Sequence, residues 1–228
     1  DSNIVGTPDG AEVLKVSPAA NSIYDALDNI SSTTQSNNTA NLKDKAPATI
    51  TAVNVSNDNT SVAVTISEAV YSTNNGSGDL EKADFAFTMS GGAASLSSAT
   101  PTTISKSGNV YTLGFGLSGT PSGAEIINVS PVANSIYDAL GNISLTSQSN
   151  NTANLKDKAK PIISNLELAN NNGTIAVTFS ESVFSNNNGS GDLDSLDFVL
   201  SMSGSGASLS QSNPTTISKN GNIYTLGI

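Results

Sequence analysis

The sequence predicts an all-β protein built from tandem two-sheet sandwich repeats of about 113 residues. The first observation is an internal repeat: SPAANSIYDALDNISSTTQSNNTAN at residues 17–41 recurs as SPVANSIYDALGNISLTSQSNNTAN at residues 130–154. The second is that apolar residues alternate with polar ones over short runs that turn residues separate. The third is that no stretch shows the sustained apolar periodicity of a helix.

The repeat keeps one constant offset, which carries Ser17 onto Ser130 and which we call one period. Three further segments recur at this offset without a gap: Ser67-Glu68 as Ser180-Glu181, NNGSGDL from Asn74 as the same run from Asn187, and PTTISK from Pro101 as the same run from Pro214. The chain spans two periods and two more residues, so we expect it to be a segment of a longer array.

Two Lys-Asp-Lys stretches mark the expected joints between repeats. They lie at residues 43–45 and 156–158, and Pro47 and Pro161 follow them. The joints predict residues 1–43 as the C-terminal part of one repeat, residues 44–156 as a complete repeat, and residues 157–228 as the N-terminal part of the next. Each outer part is an incomplete sandwich. We therefore expect copies of the repeat to join head to tail, by strand complementation or by chain continuity, in an open filament.

Five apolar alternations within the complete repeat predict half-buried strands. They are Val53 and Val55; Val62, Val64 and Ile66; Phe85, Phe87 and Met89; Tyr111, Leu113 and Phe115; and Ile127 and Val129. Asn, Asp, Gly and Pro residues at 57–59, 90–92, 107–109 and 119–121 supply the turns between them. Short strands at this spacing are typical of a two-sheet sandwich.

Three residue runs are distinctive: VAVTISEAV at residues 62–70 with its copy IAVTFSESV at 175–183, the GTPxGAE turn, and the IYDALGN run that begins at Ile136. They resemble a family of bacterial immunoglobulin-like repeats found in large extracellular proteins. The resemblance implies an immunoglobulin-like sandwich, an extracellular or cell-surface location, and a spacer or adhesive role. Asp28 departs from the pattern, because the second copy has Gly141 at that position.

Composition argues against an enzyme, and we expect no catalytic residues. The chain has no His, Cys or Trp, so it cannot assemble a Ser-His-Asp or Cys-His arrangement or the usual zinc site. Aromatic residues make up only 5%, which is too few to wall a cleft around a pair of catalytic carboxylates.

The net charge of −10 excludes nucleic acid as an expected partner, because an acidic surface repels phosphates and the chain has no Arg. No stretch has the apolar length of a membrane span. A surface rich in Asp, Asn and Ser oxygens suits a hard cation such as calcium.

The run TNNGSGDLEKADF at residues 73–85 and its copy NNNGSGDLDSLDF at 186–198 resemble the calcium loops of EF-hand and dockerin proteins, with Gly78 at the sharp turn. The resemblance implies oxygen ligands at Asn75, Ser77, Asp79, Glu81 and Asp84, and in the copy at Asn186, Asn188, Ser190, Asp192, Asp194 and Asp197. The few charged ligands imply weak binding, with a dissociation constant of ~10⁻⁴–10⁻³ M. The other interpretation is that Asn-Gly and Ser-Gly only close a hairpin.

Other acidic residues have two interpretations. Glu68 and Glu181 follow the second strand, where each either reaches the calcium loop or lies in solvent. Asp25 with Asn29, and Asp138 with Asn142, are predicted to hold turns by accepting from nearby amides.

The sequence favours a structural or adhesive repeat of a bacterial surface protein or filament. The alternative is an accessory, carbohydrate-binding module of a secreted enzyme, which requires exposed aromatic residues on one sheet face. A surface-layer subunit that assembles through contacts between copies is a third hypothesis.

Overall fold

The computed structural model of the protein describes residues 3–228, and the fold is all-β with antiparallel sheets. The two helices among these residues are single 3₁₀ turns at Lys82–Asp84 and Ser195–Asp197. No helix in the described part of the chain is long and apolar enough to cross a membrane. The chain divides into two compact units, the first ending at Lys158 and the second spanning Ala159–Ile228.

The first unit contains eleven strands. They are β1 Val13–Lys15, β2 Thr39–Asn41, β3 Ile50–Val55, β4 Ser61–Ile66, β5 Phe85–Ser90, β6 Ser95–Leu96, β7 Ile104–Ser107, β8 Val110–Gly114, β9 Leu117–Ser118, β10 Ile126–Pro131 and β11 Thr152–Asn154. The main sheets have the orders β3-β4-β8-β7 and β11-β10-β5, and β1-β2 and β6-β9 form separate pairs. All five sequence-predicted alternations are therefore confirmed as strands, although Phe115 lies just beyond β8.

One apolar core lies between the two main sheets of the first unit. Val62 and Val64 of β4 and Ile127 and Val129 of β10 are fully buried in it. Their spacing of two residues points alternate side chains to one face of each strand, which explains why the apolar alternation in the sequence was informative.

The second unit has four strands. They are β12 Ile163–Leu168, β13 Thr174–Phe179, β14 Ile217–Asn220 and β15 Ile223–Gly227, in the order β12-β13-β15-β14. This order and register repeat those of β3-β4-β8-β7, so that Leu166 pairs with Val177 as Val53 pairs with Val64. Both sheets also contain the same register shift near the start of the first strand.

The two units differ where β5 would recur. Residues 198–203, which correspond to β5, form no strand in the second unit. In the first unit β5 pairs along its whole length with β10, and the described second unit contains no strand equivalent to β10. A segment without a neighbouring strand has no ladder partner on that side, so residues 198–203 remain irregular, although the Leu200 amide still donates to the Ser212 carbonyl oxygen at 2.7 Å.

Asn59 fastens the end of the complete repeat to the turn between β3 and β4. Its side-chain amide donates to the carbonyl oxygen of Lys156 at 2.7 Å, and its Oδ1 accepts from the amide of Lys156 at 2.8 Å. Asn59 is buried, so Asn59→Ala leaves both backbone groups without this partner. We expect this variant to lower the free energy of unfolding of the first unit by about 1–3 kcal/mol in urea titrations.

Asn172→Ala is the matched control. Asn172 lies one period after Asn59 with nearly the same φ, 55° against 57°, but its side chain is exposed. Both substitutions place Ala in the left-handed region, so the backbone strain is shared, and the variants differ in the loss of the buried Asn59 side chain with its Lys156 bonds. Equal losses in the two variants would contradict a role for these bonds.

Candidate functional site

Three carboxylates converge in the first unit. Asp44 precedes β3, Glu68 follows β4, and Asp138 lies in the turn after β10, yet their carboxylate oxygens lie within 4.8 Å of one another. Asp138 is buried, and the other two are half-buried. Carboxylate oxygens in such a group are the donors that hard cations prefer.

The Asp138 carboxylate holds the turn in which it lies. Oδ1 accepts from the amides of Leu140 and Asn142, both at 2.8 Å, and Oδ2 accepts from the Asn142 side chain at 2.7 Å. The same Asn142 side chain donates to the Asp44 carbonyl oxygen at 3.2 Å, which brings the turn to the start of the repeat. The predicted turn-holding role of Asp138 and Asn142 is confirmed.

The earlier copy of this turn has the same bonds in an exposed setting. Asp25 Oδ1 accepts from the Leu27 and Asn29 amides, and Oδ2 accepts from the Asn29 side chain at 2.8 Å. Asp28 and Gly141 both have positive φ, 63° and 82°. The substitution of Gly by Asp therefore leaves the turn itself unchanged.

Glu68 is the least favourably placed of the three carboxylates. Burial raises the pKa of Glu68, and the negative charges of Asp44 and Asp138 raise it further. An ionised Glu68 thus costs free energy in the folded state, and either a proton or a cation lowers that cost. No local sequence pattern predicts this approach, because Asp44 and Asp138 are far apart in the chain, which has 19 acidic residues.

The first half of the predicted calcium loop is closed by its own side chains. Thr73 Oγ1 donates to the Ser77 carbonyl oxygen and lies against Asn75 Oδ1, while Ser77 Oγ donates to Asn75 Oδ1 at 2.6 Å. Gly76 and Gly78 have φ of 72° and 85°, which suits the tight turn. The structure therefore brings Asn75 and Ser77 together.

The second half of the loop contains the N-terminus of the 3₁₀ turn at Lys82–Asp84. The Glu81 amide donates to Asp84 Oδ2 at 2.7 Å, which places the Asp84 carboxylate at the N-terminus of the Lys82–Asp84 turn. Burial raises the pKa of Asp84; the bond from the Glu81 amide opposes this shift, and the charge of Glu81 adds a smaller increase. Asp79 is exposed. Among the described residues, the carboxylates of the loop do not converge as those of Asp44, Glu68 and Asp138 do.

The copy of the loop repeats these contacts. Ser190 Oγ donates to Asn188 Oδ1 at 2.6 Å, and the Asp194 amide donates to Asp197 Oδ2 at 2.9 Å. The Asn186 amide donates to the Ser190 carbonyl oxygen at 3.0 Å. Asp192 lies 3.7 Å from the Lys219 ammonium group. These bonds satisfy a hairpin without any ion, and calcium at either loop stays a prediction.

Glu125 is a further group whose environment sequence analysis missed. Its carboxylate is buried and accepts from the amides of Ala93, Ala94 and Ser122 at 2.9–3.1 Å. Burial alone raises the pKa of Glu125, but the backbone donors outweigh it and lower the pKa to about 2. The GTPxGAE turn that contains Glu125 was the available signal, since a Glu beside Gly residues can meet free backbone amides.

Together the fold and these groups define the class: an all-β protein with antiparallel sheets and a group of acidic side chains able to hold a cation. Comparison with protein-family models, curated proteins and solved structures finds no match. The resemblance to immunoglobulin-like repeats thus rests on the residue runs quoted above.

Proposed function

We propose that the chain is a structural repeat of a bacterial surface protein, an immunoglobulin-like sandwich that transmits tension along a tandem array outside the cell. One observation carries the proposal: the first and last strands of residues 44–156, β3 and β11, lie beside each other and run in the same direction.

Hydrogen bonds at two places define the relative direction of β3 and β11. At the start of β3, the Ile50 amide donates to the side chain of Gln148, just before β11, at 2.8 Å. Past the end of β3, Asn59 exchanges two bonds with Lys156, just after β11. The two strands are therefore parallel, and the chain enters the repeat at one end of the pair and leaves at the other.

Tension applied through the chain pulls such a pair lengthwise. The strands must slide past each other, so the bonds and apolar contacts along them break together rather than one at a time. Mechanical resistance of this kind depends on the rate of unfolding under force. An array of repeats with this geometry withstands tension while it stays folded. A spacer or adhesive stalk requires this property.

Single-molecule stretching of the whole chain through its termini tests the proposal. We expect a distinct unfolding event that releases the complete repeat at residues 44–156, roughly 370–400 Å of extended chain. Asn59→Ala should lower the force of that event, and Asn172→Ala should leave it unchanged. Extension without a resolved event for this length would refute the role in tension.

The alternative, an accessory carbohydrate-binding module, has less support. Sugar-binding faces need exposed aromatic side chains, and most aromatic residues here are in the cores, including Phe85, Phe87 and Tyr111. Tyr24 and Phe184 are the exposed aromatic residues among those described, and they belong to different units.

We also propose that calcium stiffens the repeat, as the loop pattern predicted. A ligand bound only to the folded state stabilises it by mass action, so the melting temperature should rise from excess chelator to millimolar calcium. If calcium binds the loop, the calcium-dependent rise in melting temperature should shrink in Glu81→Gln. Glu81 is exposed, so this substitution leaves the core intact. Equal melting curves in calcium and in chelator would end this part of the proposal.

Glu68→Gln tests whether the cation lies at the Asp44, Glu68 and Asp138 carboxylates rather than at the loop. In chelator, removing the charge that faces Asp44 and Asp138 should raise the melting temperature of the first unit, by roughly 2–4 °C if the gain is about 1 kcal/mol. If the cation lies at these carboxylates rather than at the loop, the calcium-dependent rise should shrink in Glu68→Gln and persist in Glu81→Gln. A lower melting temperature for Glu68→Gln in chelator would contradict the repulsion.

A further inference from the structure

The GTPxGAE turn of each repeat bonds to the joint that follows that repeat. The turn occurs at residues 6–12 and again at residues 119–125. The carbonyl oxygen of Pro8 accepts from the amide of Lys45 at 2.8 Å, and that of Pro121 accepts from the amide of Lys158, also at 2.8 Å. Lys158 lies beyond the predicted repeat boundary at residue 156, and the first compact unit also ends at Lys158. A repeat therefore holds residues that the sequence pattern assigns to the next one.

A glycine in each turn brings the joint backbone close. Gly10 and Gly123 have φ of 84° and 80°, so both lie in the left-handed region that favours glycine. A Cβ built on Gly10 would lie 3.3 Å from the Cβ of Asp44, and one on Gly123 would lie 3.3 Å from the Cβ of Asp157. The two joints share this geometry in different surroundings, so the turn and the Asp-Lys pair are sufficient to produce it.

The repeat after the first joint holds the same residue from its other side. The Asn142 side chain, in the turn after β10, donates to the Asp44 carbonyl oxygen at 3.2 Å and to Asp138 Oδ2 at 2.7 Å. The Ala46 amide donates to Asp44 Oδ1 at 2.8 Å, and beyond Pro47 the side chain of Ala48 is buried in the core. Asp44 thus belongs structurally to both repeats.

Backbone hydrogen bonds continue through the whole joint. Five amides between the end of β2 and the start of β3 donate to the body of one repeat or the other, or within the joint itself: those of Leu42, Lys45, Ala46, Thr49 and Ile50. Domains linked by an exposed, weakly bonded segment move relative to each other by default. The joint contains no such segment, because its bonded residues follow one another closely.

We propose that the joint at Asp44 and Lys45 is a rigid coupling, shared by the repeats before and after it, which holds successive repeats at one fixed orientation. The surface it uses is the Pro8–Gly10 turn on one side and the Asp138–Asn142 turn on the other, and its partner is the neighbouring repeat of the same chain. Repeats that contact their neighbours in this way stabilise one another.

This coupling adds a property to the proposed array, and it rests on the proposed function only in taking the chain as part of such an array. Tension that enters a repeat through a bonded joint reaches β3 without first straightening a loose linker. The array then responds to force as a series of fixed elements rather than as folded domains on flexible linkers.

Nuclear magnetic resonance relaxation and amide exchange on the whole chain test the rigidity directly. We expect backbone order parameters of about 0.85 at Lys45 and Ala46, equal to those of β4, whereas a flexible linker gives values below about 0.6. The Lys45 side chain is exposed, so protection of its amide reports the bond to Pro8. The amides of Lys45 and Lys158 should exchange at least about tenfold more slowly than in an unfolded peptide. Low order parameters or unprotected amides at the joint would overturn the inference.

Asn142→Ala tests the contact from the following repeat. Asn29→Ala is the matched control, because Asn29 donates to Asp25 Oδ2 at 2.8 Å as Asn142 does to Asp138, in the earlier copy of the turn. Exchange at Ala46 and Lys45 should be several-fold faster in Asn142→Ala and unchanged in Asn29→Ala. Amides of β4 serve as the internal reference for a folded repeat. Equal rates at the joint in the two variants would contradict the shared role of Asp44.

Gly10→Val tests the contact from the preceding repeat and leaves the complete repeat unaltered. Gly6→Val is its control, because Gly6 has a similar φ of 90° and nothing lies within 4 Å of a Cβ there. The bulkier side chain at Gly10 must displace Asp44, so the Lys45 amide should exchange several-fold faster in Gly10→Val than in Gly6→Val. Equal rates would show that the turn does not hold the joint.

The stretching experiment and the relaxation experiment fail in different ways. A flexible joint would overturn this inference while the unfolding event of residues 44–156 remains. Loss of that event with an ordered joint would instead refute the role in tension and leave the coupling in place.

Discussion

Ile127→Ala is expected to lower the free energy of unfolding of the first unit by about 2–5 kcal/mol. Ile127 is fully buried between β5 and β11, in the middle of the core, so its truncation removes apolar contacts and leaves a cavity. The measurement is urea unfolding followed by amide hydrogen exchange in residues 61–66, because that strand belongs to the same core.

Leu14→Ala is the matched control, at the same position of the repeat. Leu14 is exposed, and at concentrations where the chain is monomeric its truncation should change the free energy of unfolding by less than about 0.5 kcal/mol. Similar losses for the two variants would mean that Leu14 is buried in the monomer, contrary to the structure.

Glu125→Gln is expected to destabilise the first unit at neutral pH by about 2–3 kcal/mol. The charged carboxylate accepts from three buried or half-buried backbone amides, and a neutral amide group turns an N–H toward at least one of them. The difference between the folded pKa of about 2 and the ordinary value of 4.5 corresponds to roughly 3 kcal/mol in favour of the ionised form.

The pH dependence of this effect has a definite sign. Because the folded pKa of Glu125 is lowered, its contribution is fully present above about pH 4.5 and is lost as the pH falls toward 2. The difference in urea midpoint between the unaltered chain and Glu125→Gln should therefore shrink over that interval. A difference that stays constant from neutral pH to about pH 2 would contradict the ionised, amide-bound state.

Glu12→Gln controls for the substitution itself. Glu12 occupies the same position of the repeat and accepts from the Asp9 amide, but it is exposed. Its replacement should change stability by less than about 0.5 kcal/mol, because water can replace the lost partner.

Local sequence patterns were sufficient to predict five strands of the first unit and the turn-holding acids. Alternation at Val62, Val64 and Ile66 predicted β4, because a strand places every second side chain on the same face. Asp138 and Asn142 hold their turn as predicted, since the bonds involved join residues close together in the chain. The absence of His and Cys likewise restricted the chemistry before any fold was known.

Long-range contacts decided which of the repeated positions are buried. Leu14 and Ile127 have equivalent neighbours in sequence, yet one lies in solvent and the other in the core. Burial requires a second sheet to cover the residue, and that sheet comes from a segment distant in the chain. The approach of Asp44, Glu68 and Asp138 and the amide-lined pocket of Glu125 depend on the same tertiary contacts, so no local pattern could place them.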